Sequence, residues 1–162
     1  MHSVFCPSNH SAACALKQGI FVKCVGLDIG DVWTGIALSD ALQMFARPYT
    51  TAHTTELIPA LTDLFKKEQI ATVIVGYPKT MRGTVSEQTK SVQTMFEQLQ
   101  IMFVGVTWIL WDERLSSRRA EHLKKAQTKE DKIASHAVAA AFILGSYLDH
   151  QAFTRAIDVD NT

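Results

Sequence analysis

Two long apolar runs constrain the fold of this chain most strongly. The run IATVIVGYP, residues 70–78, is almost free of charged side chains and stops at Gly76 and Pro78. Such a run is typical of a central β-strand that is covered on both faces. The later run IMFVGVTWILW, residues 101–111, has the same character and ends abruptly at the charged sequence DER. The two runs predict two buried strands of one sheet.

A third apolar stretch, VKCVGLDIGDVWTGIALSD, contains a charged residue at a strand end. Residues 21–27 and 34–38 are β-rich and flank a Gly-Asp turn, so they predict an antiparallel hairpin, and MFARPY at residues 44–49 adds a short third strand. Asp28 closes the first of these runs. Its carboxylate either caps the turn or is held at the edge of the sheet for chemistry.

Three segments with helical spacing separate and follow the strands. They are residues 57–68, 86–99 and 133–149, and the last is rich in alanine and apolar on most sides, which predicts a largely buried helix. The order of elements predicts an α/β fold in which a mixed sheet is flanked by helices. Ligands of such sheets gather at the carboxyl ends of the parallel strands, where we expect Asp28 and the Asp112-Glu113 pair.

Length and composition fit one ordinary globular domain. The chain has 162 residues, 47% of them hydrophobic, and a formal net charge of zero, so a polyanionic partner would have to be bound by a local patch. We expect a weakly structured extension at residues 1–20, a folded domain at 21–150 and a tail at 151–162.

Cysteine usage and the absence of targeting signals predict a cytoplasmic protein. The first residues lack the basic start and the sustained apolar core of a signal peptide, and no apolar run reaches membrane-spanning length. The three cysteines show no CxxC spacing, which indicates reduced thiols, at Cys6, Cys14 and Cys24.

Several carboxylates at one sheet edge have a chemical consequence. They repel one another and raise their own pKa values unless a cation neutralises them. Oxygen-rich sites suit Mg²⁺ or Mn²⁺, which also bind substrate phosphate. Two such ions can hold the attacking water and the leaving oxygen of a phosphodiester. The residues alone therefore indicate metal-assisted phosphodiester hydrolysis.

Four motifs carry a resemblance to a known family. VGLDIGDVWTGIALSD, VIVGYPKTMRGTVSEQTKSV, WDERLSS and ASHAVAAAFILGSYLD resemble, in order and spacing, the motifs of the YqgF/RuvX family of Holliday-junction resolvase-like nucleases, which is also linked to processing of the 5′ end of pre-16S rRNA. The resemblance spans residues 22–149. It implies an RNase H-like fold, endonuclease activity and a divalent-metal site.

The resemblance also implies which residues form that site. Asp28 matches the aspartate of the family's first strand, and Glu113 lies in the DER block. Because successive strand side chains face opposite ways, we favour Glu113 over Asp112. The family's aspartate on the last helix is here His136, which would suit Mn²⁺ better than Mg²⁺. The change could instead weaken activity or leave the role to Asp131.

Basic residues near the expected site are candidates for phosphate contacts. Lys79 and Arg82 lie in the loop after residue 78, and Arg114 and Arg118 follow the DER block, although basic clusters of this kind often only solvate a helix face. Thr80 and the DVW sequence depart from the family pattern. The expected partner is branched DNA or pre-rRNA, and coordinated cutting of a junction would favour a homodimer.

Two other functional classes remain open from the sequence. One is a nucleic-acid-binding module of the same fold that does not cut, which the change at His136 motivates. The other is an actin-like ATPase, because LDIGDVWTGIALSD also resembles the phosphate-binding hairpin of that superfamily. Its members close two domains over a nucleotide, whereas a single domain is expected here.

Overall fold

The structure is a computed structural model that describes residues 22–77, 87–112 and 128–160. In this part of the chain, strands alternate with helices in the order that the sequence predicts. The strands are β1 (Lys23–Ile29), β2 (Trp33–Ser39), β3 (Ala46–His53), β4 (Ile70–Tyr77) and β5 (Thr107–Asp112), and the α-helices are α1 (Leu57–Lys67), α2 (Glu87–Met102) and α3 (Lys129–Asp160).

The five strands form one mixed sheet with the order β3-β2-β1-β4-β5. β1 pairs with β2, and β2 with β3, in the antiparallel sense, while β1, β4 and β5 are parallel. Leu27 lies opposite Val75, and Val75 lies opposite Leu110. The carboxyl ends of the three parallel strands are therefore level, and the predicted fold class is confirmed.

Side-chain alternation along β1 divides the core into two layers. Val25, Leu27 and Ile29 pack on one face with buried residues of α1 and α2. Cys24 packs on the other face with α3, and so does Ile74 of β4. Burial on both faces is what the uninterrupted apolar run of β4 predicts.

The long helix α3 lies directly on two glycines of the hairpin. A Cβ atom on Gly26 would be 2.7 Å from the carbonyl oxygen of Ala140, and one on Gly35 would be 1.9 Å from the carbonyl oxygen of His136. Glycine therefore allows a backbone-to-backbone approach that any other residue would prevent. This approach fixes the height of His136 above the sheet.

Three predicted boundaries were wrong. Residues 101 and 102, predicted to begin a strand, belong to α2, and the Phe103 amide bonds to the Leu99 carbonyl at its end. β3 is longer than the predicted short strand and continues to His53. The last helix does not end near residue 149 but continues to Asp160, through residues expected as a tail. Most residues after Tyr147 and Leu148 that have a described side chain are exposed, so the helix is buried only over the sheet.

Cys24 is a free, buried thiol at the start of β1. Burial raises its pKa to about 11, although nearby Arg155 and Thr72 oppose the shift. The thiol is therefore protonated at neutral pH and chemically inert. In the described part of the chain, no helix is long and apolar enough to cross a membrane.

Asp40 organises the loop that joins β2 to β3. Its Oδ1 accepts hydrogen bonds from the amides of Met44 and Phe45, both at 2.8 Å, and its Oδ2 accepts one from Leu42 at 3.2 Å. Partial burial acts to raise the pKa of Asp40, but these amide hydrogen bonds outweigh it and hold the pKa below its usual value. The ionised carboxylate is thus the form that stabilises the loop.

Replacing Asp40 should make the free energy of unfolding less dependent on pH in the acidic range. Because the pKa is lower in the folded state, the carboxylate's contribution is complete above the unfolded pKa of about 4 and is lost as the pH falls through the folded value. We expect Asp40→Ala to lower the free energy of unfolding at pH 7 and to cost progressively less as the pH falls below about 4. Asp63→Ala is the control, since Asp63 forms an exposed ion pair with Lys66. Equal melting temperatures for the two variants at pH 7 would contradict this role.

Candidate active site

Asp28 lies one residue before the end of β1, on the face of the sheet that α3 covers. Side-chain alternation places it on the same side as Cys24 and Gly26, which both pack against α3. Asp28 is only 6% exposed. A carboxylate at this depth is costly unless polar or charged groups compensate it, so its presence indicates a constructed polar site.

His136 of α3 supplies one such group. It lies on the helical stripe that faces the sheet, one turn before Ala140 and two turns before Ile143, which are buried. Its Nδ1 atom is 3.3 Å from Oδ2 of Asp28. The Asp28 side chain is 8% exposed and the His136 side chain 32% exposed, so the imidazole joins the buried carboxylate to solvent.

The hairpin and the edge strand together position this histidine. Gly35 lies beneath the His136 carbonyl and is the direct cross-strand neighbour of Asp28. Thr51 of β3 donates a hydrogen bond to the carbonyl of Ile133 at 2.9 Å, which ties the start of α3 to the sheet. Contacts with β2 and with β3, the two strands that follow β1 on one side of the sheet, therefore hold this part of the helix beside Asp28.

Asp112 ends β5 at the same edge, but it faces away from Asp28. Trp111 points toward α3, since its indole donates a hydrogen bond to Ser146 at 2.8 Å. Side chains alternate along a strand, so Asp112 projects from the opposite face of the sheet. Two strand spacings, roughly 10 Å, also separate the ends of β1 and β5. Asp112 therefore lies on the other side of the sheet from Asp28, and the choice of Glu113 as the ligand stays a prediction.

The remaining predicted site residues lie outside the described part of the chain. They are Glu113, Lys79, Arg82, Arg114 and Arg118. Asp131 lies in the first turn of α3, but its side chain is also outside that part. Within the described residues, no group of three or more His, Cys, Asp or Glu is placed to hold a metal ion. The structure thus brings together two of the three predicted ligands, Asp28 and His136.

The chemistry of this pair fits part of a divalent-metal site. Oxygen and imidazole nitrogen bind such ions at about 2.1 Å, so two adjacent ligands of one ion lie about 3 Å apart. The observed 3.3 Å is close to that separation. The same distance also allows a hydrogen bond that orients the imidazole, as carboxylates commonly do for metal-binding histidines.

A small cavity opens on the other face of the same edge. It measures about 140 Å³ and is lined by Ile29, Gly30 and Asp31 of the β1–β2 turn, by Thr54, and by residues of α2. Ligand pockets usually exceed about 300 Å³, so this cavity is too small for a typical organic ligand. A large substrate must therefore approach the edge from outside.

Sequence reasoning missed an aromatic pair beside Asp28. Trp33 and His53 are cross-strand neighbours in β2 and β3, and their ring centroids lie 5.3 Å apart at an interplanar angle of 75°. The sequence did mark Trp33 as part of the unusual DVW turn. His53 could not be found from local pattern, because only the register of β3 brings it to Trp33.

The fold is that of an RNase H-like protein. Its structure resembles Thermus thermophilus RuvC in complex with a Holliday junction substrate, with a TM-score of 0.51 and 13% sequence identity, over 80% of this chain and 96% of that chain. A second structure of Thermus thermophilus RuvC gives the same TM-score at 12% identity, over 82% and 98% of the two chains. At this level of identity, the likeness establishes the fold alone.

Sequence comparison establishes the family. The model of the family described as "RuvX: Holliday junction resolvase" matches residues 22–150. A Shouchella clausii protein named "Putative pre-16S rRNA nuclease" is 36% identical over 141 residues, covering 82% of this chain and 99% of that protein. A Rubrobacter xylanophilus protein of the same name is 34% identical over 128 residues, covering 78% and 92%. The chain therefore belongs to the RuvX family, as its motifs predict.

Proposed function

We propose that this protein hydrolyses phosphodiester bonds in structured nucleic acid with the help of a divalent metal ion. One observation carries the proposal: Asp28 and His136, 108 positions apart in the sequence, meet at 3.3 Å at the carboxyl edge of the sheet. That edge is where ligands of open α/β sheets bind. Membership of a nuclease family supports the same chemistry.

Asp28 and His136 would hold the ion, and Glu113 is the proposed third ligand. A divalent ion held by these residues would polarise the phosphate and lower the pKa of a bound water. Because Trp111 faces α3 and Asp112 faces away, strand alternation favours the position after Asp112 for the α3 side. One imidazole in place of a carboxylate lowers the negative charge of the site, so we propose that Mn²⁺ serves better than Mg²⁺.

The proposed substrate is branched DNA or the precursor of 16S rRNA. The names of the relatives and the junction-bound RuvC structure support this pair of candidates. We propose that Lys79, Arg82, Arg114 and Arg118 contact phosphates around the site, since such contacts position a substrate without reading its sequence. We also propose that the protein acts in the cytoplasm and that junction cutting would use a homodimer with two sites.

Substitution of His136 tests the metal site without requiring activity. If His136 is a ligand, His136→Asp restores an all-carboxylate set, and we expect Mg²⁺ to raise its melting temperature more than that of the wild type. Saturation at about 100 times Kd stabilises a native state by about 2.7 kcal/mol, which corresponds to roughly 5–10 °C. His136→Ala should lose stabilisation by both Mg²⁺ and Mn²⁺.

The matched control is His150→Asp, because His150 is exposed on the same helix and its ring contacts Trp111 rather than Asp28. It should leave the metal response of the wild type unchanged. The opposite outcome is also distinct: a non-ligand role would make Asp at position 136 an uncompensated charge next to Asp28. A His136→Asp variant that melts several degrees earlier and gains nothing from Mg²⁺ would exclude His136 as a ligand.

A further inference from the structure

The pair formed by Trp33 and His53 is an aromatic surface at the carboxyl edge of the sheet. Both side chains are half-buried, and their rings meet edge to face. Edge-to-face packing is a favourable geometry for two rings. The pair is therefore more than core filling, since it reaches the surface.

This aromatic pair lies on the same side of the sheet as Asp28 and His136. Trp33 is two residues before Gly35 in β2. Gly35 contacts the backbone of His136 and is the cross-strand neighbour of Asp28. A Cβ atom on Gly30 would be 2.6 Å from the carbonyl oxygen of Trp33 and 3.6 Å from Cε1 of His136. Gly30 therefore lies between the Trp33 backbone and the imidazole of the candidate metal ligand.

Hydrogen bonds around Thr54 hold this edge in place. The Thr54 amide donates to the carbonyl of Val32 at 2.8 Å, and its hydroxyl donates to the carbonyl of Gly30, also at 2.8 Å. Nδ1 of His53 lies 2.7 Å from the hydroxyl of Thr55. These bonds hold the backbone on both sides of the pair and orient the His53 ring, and such pre-organisation lowers the entropic cost of binding.

We propose that Trp33, supported by His53, stacks on one unpaired base of the substrate next to the phosphate at Asp28. Aromatic side chains bind bases in this way without regard to sequence, because every base has a π-face. Unstacked bases are found at branch points and in single-stranded segments, which is how proteins recognise such regions. The proposal rests on the proposed nucleic-acid substrate and specifies which part of it is recognised.

Binding to substrates that lack single bases tests this stacking. We would use the full chain with Asp28→Asn, so that nothing is cut, and measure Kd by fluorescence anisotropy. The probes are a labelled four-way DNA junction and a labelled rRNA precursor segment. Whichever of the two binds more tightly is then prepared as a series of probes, each with a single abasic site at a different position. One abasic position should weaken binding roughly 5- to 150-fold, the range for loss of one stacked base.

Variants of Trp33 then assign the contact. Trp33→Ala should raise the Kd for the intact probe by a similar factor. The Kd of this variant should then be the same for the intact and the abasic probe, as a double-mutant cycle requires if Trp33 stacks on the missing base. Trp33→Phe should retain most of the affinity. Phe45→Ala is the control, since Phe45 is 71% exposed in the β2–β3 loop, at the opposite end of the hairpin.

The outcomes separate stacking from hydrolysis. The stacking proposal would be overturned if a folded Trp33→Ala protein bound the intact probe as tightly as its parent does. It would also be overturned if the abasic site weakened binding by the same factor in the variant and in the parent. Base-dependent binding through Trp33 by a wild type that never cuts would support stacking and contradict hydrolysis. Failure of the parent to bind either probe would contradict both proposals.

Discussion

Asp28→Asn should abolish metal-dependent cleavage while leaving the fold intact. The substitution removes one negative charge from a buried position at nearly constant shape, and loss of one group that stabilises charge in a transition state costs roughly 100- to 1,000-fold in rate. Stability should change little, because asparagine can still accept or donate a hydrogen bond where Oδ2 now lies 3.3 Å from His136. The rate of cleavage and the melting temperature measure the two effects separately.

Asp63→Asn is the matched control for this substitution. Asp63 is exposed on α1, and its carboxylate forms a surface ion pair with Lys66, so the Asp63→Asn variant should cut at the wild-type rate. Wild-type cleavage by Asp28→Asn, under conditions in which the wild type needs added metal, would remove Asp28 from the site.

Gly35→Ala should be strongly destabilising, although it adds only one methyl group to a strand. The new Cβ would be 1.9 Å from the His136 carbonyl oxygen and 2.7 Å from the Ala137 amide nitrogen, so α3 would have to move away from the hairpin. We expect a loss of about 3 kcal/mol, at the upper end of overpacking effects, and a melting temperature lower by roughly 6–12 °C. Any remaining folded protein should cut poorly, because His136 moves with the helix.

Gly145→Ala provides the comparison on α3 itself. A Cβ there would be 3.9 Å from the Cβ of Ala46, an ordinary contact, and alanine has the higher helix propensity. This variant should melt at or above the wild-type temperature. Equal melting of Gly35→Ala and the wild type would mean that α3 is not seated on β2 as the structure has it.

The features that could be predicted from the sequence are those that can be recognised within a single strand. The run in β4 has no charged residue to interrupt it, so its burial on both faces could be predicted from period and composition alone. Asp28 stood out because it is a charge inside an apolar strand. Strand alternation predicted that Asp112 and Glu113 face opposite ways, but only the Trp111–Ser146 hydrogen bond places Asp112 on the side away from α3.

The wrong boundaries have a different cause. Residues 101–106 are apolar, and an apolar run does not distinguish a helix end from a strand start; the structure ends α2 at Met102 and turns at Gly105, whose φ is +95°. The end of α3 could not be read either, because burial stops near Leu148 while the helix continues. The apolar pattern of the sequence indicates where the helix is buried, and it does not show where the helix ends.

The site residues that were missed depend on contacts between distant segments. Gly35 is an unremarkable strand glycine until α3 is placed on it. His53 becomes part of the edge only through the register that sets it opposite Trp33. Neither relation can be read from the sequence of a single element, whereas His136 was found because a family pattern joins it to Asp28.

Cleavage by the purified wild-type chain tests the central claim most directly. We would incubate it with a labelled four-way DNA junction, a linear duplex of the same sequence and a pre-16S rRNA segment, each with Mg²⁺, Mn²⁺ or EDTA. The expected result is cutting of the junction or the RNA with added metal, more with Mn²⁺ than with Mg²⁺, and none in EDTA. Intact substrates in every metal, or equal cutting in EDTA, would contradict a metal-dependent nuclease at Asp28.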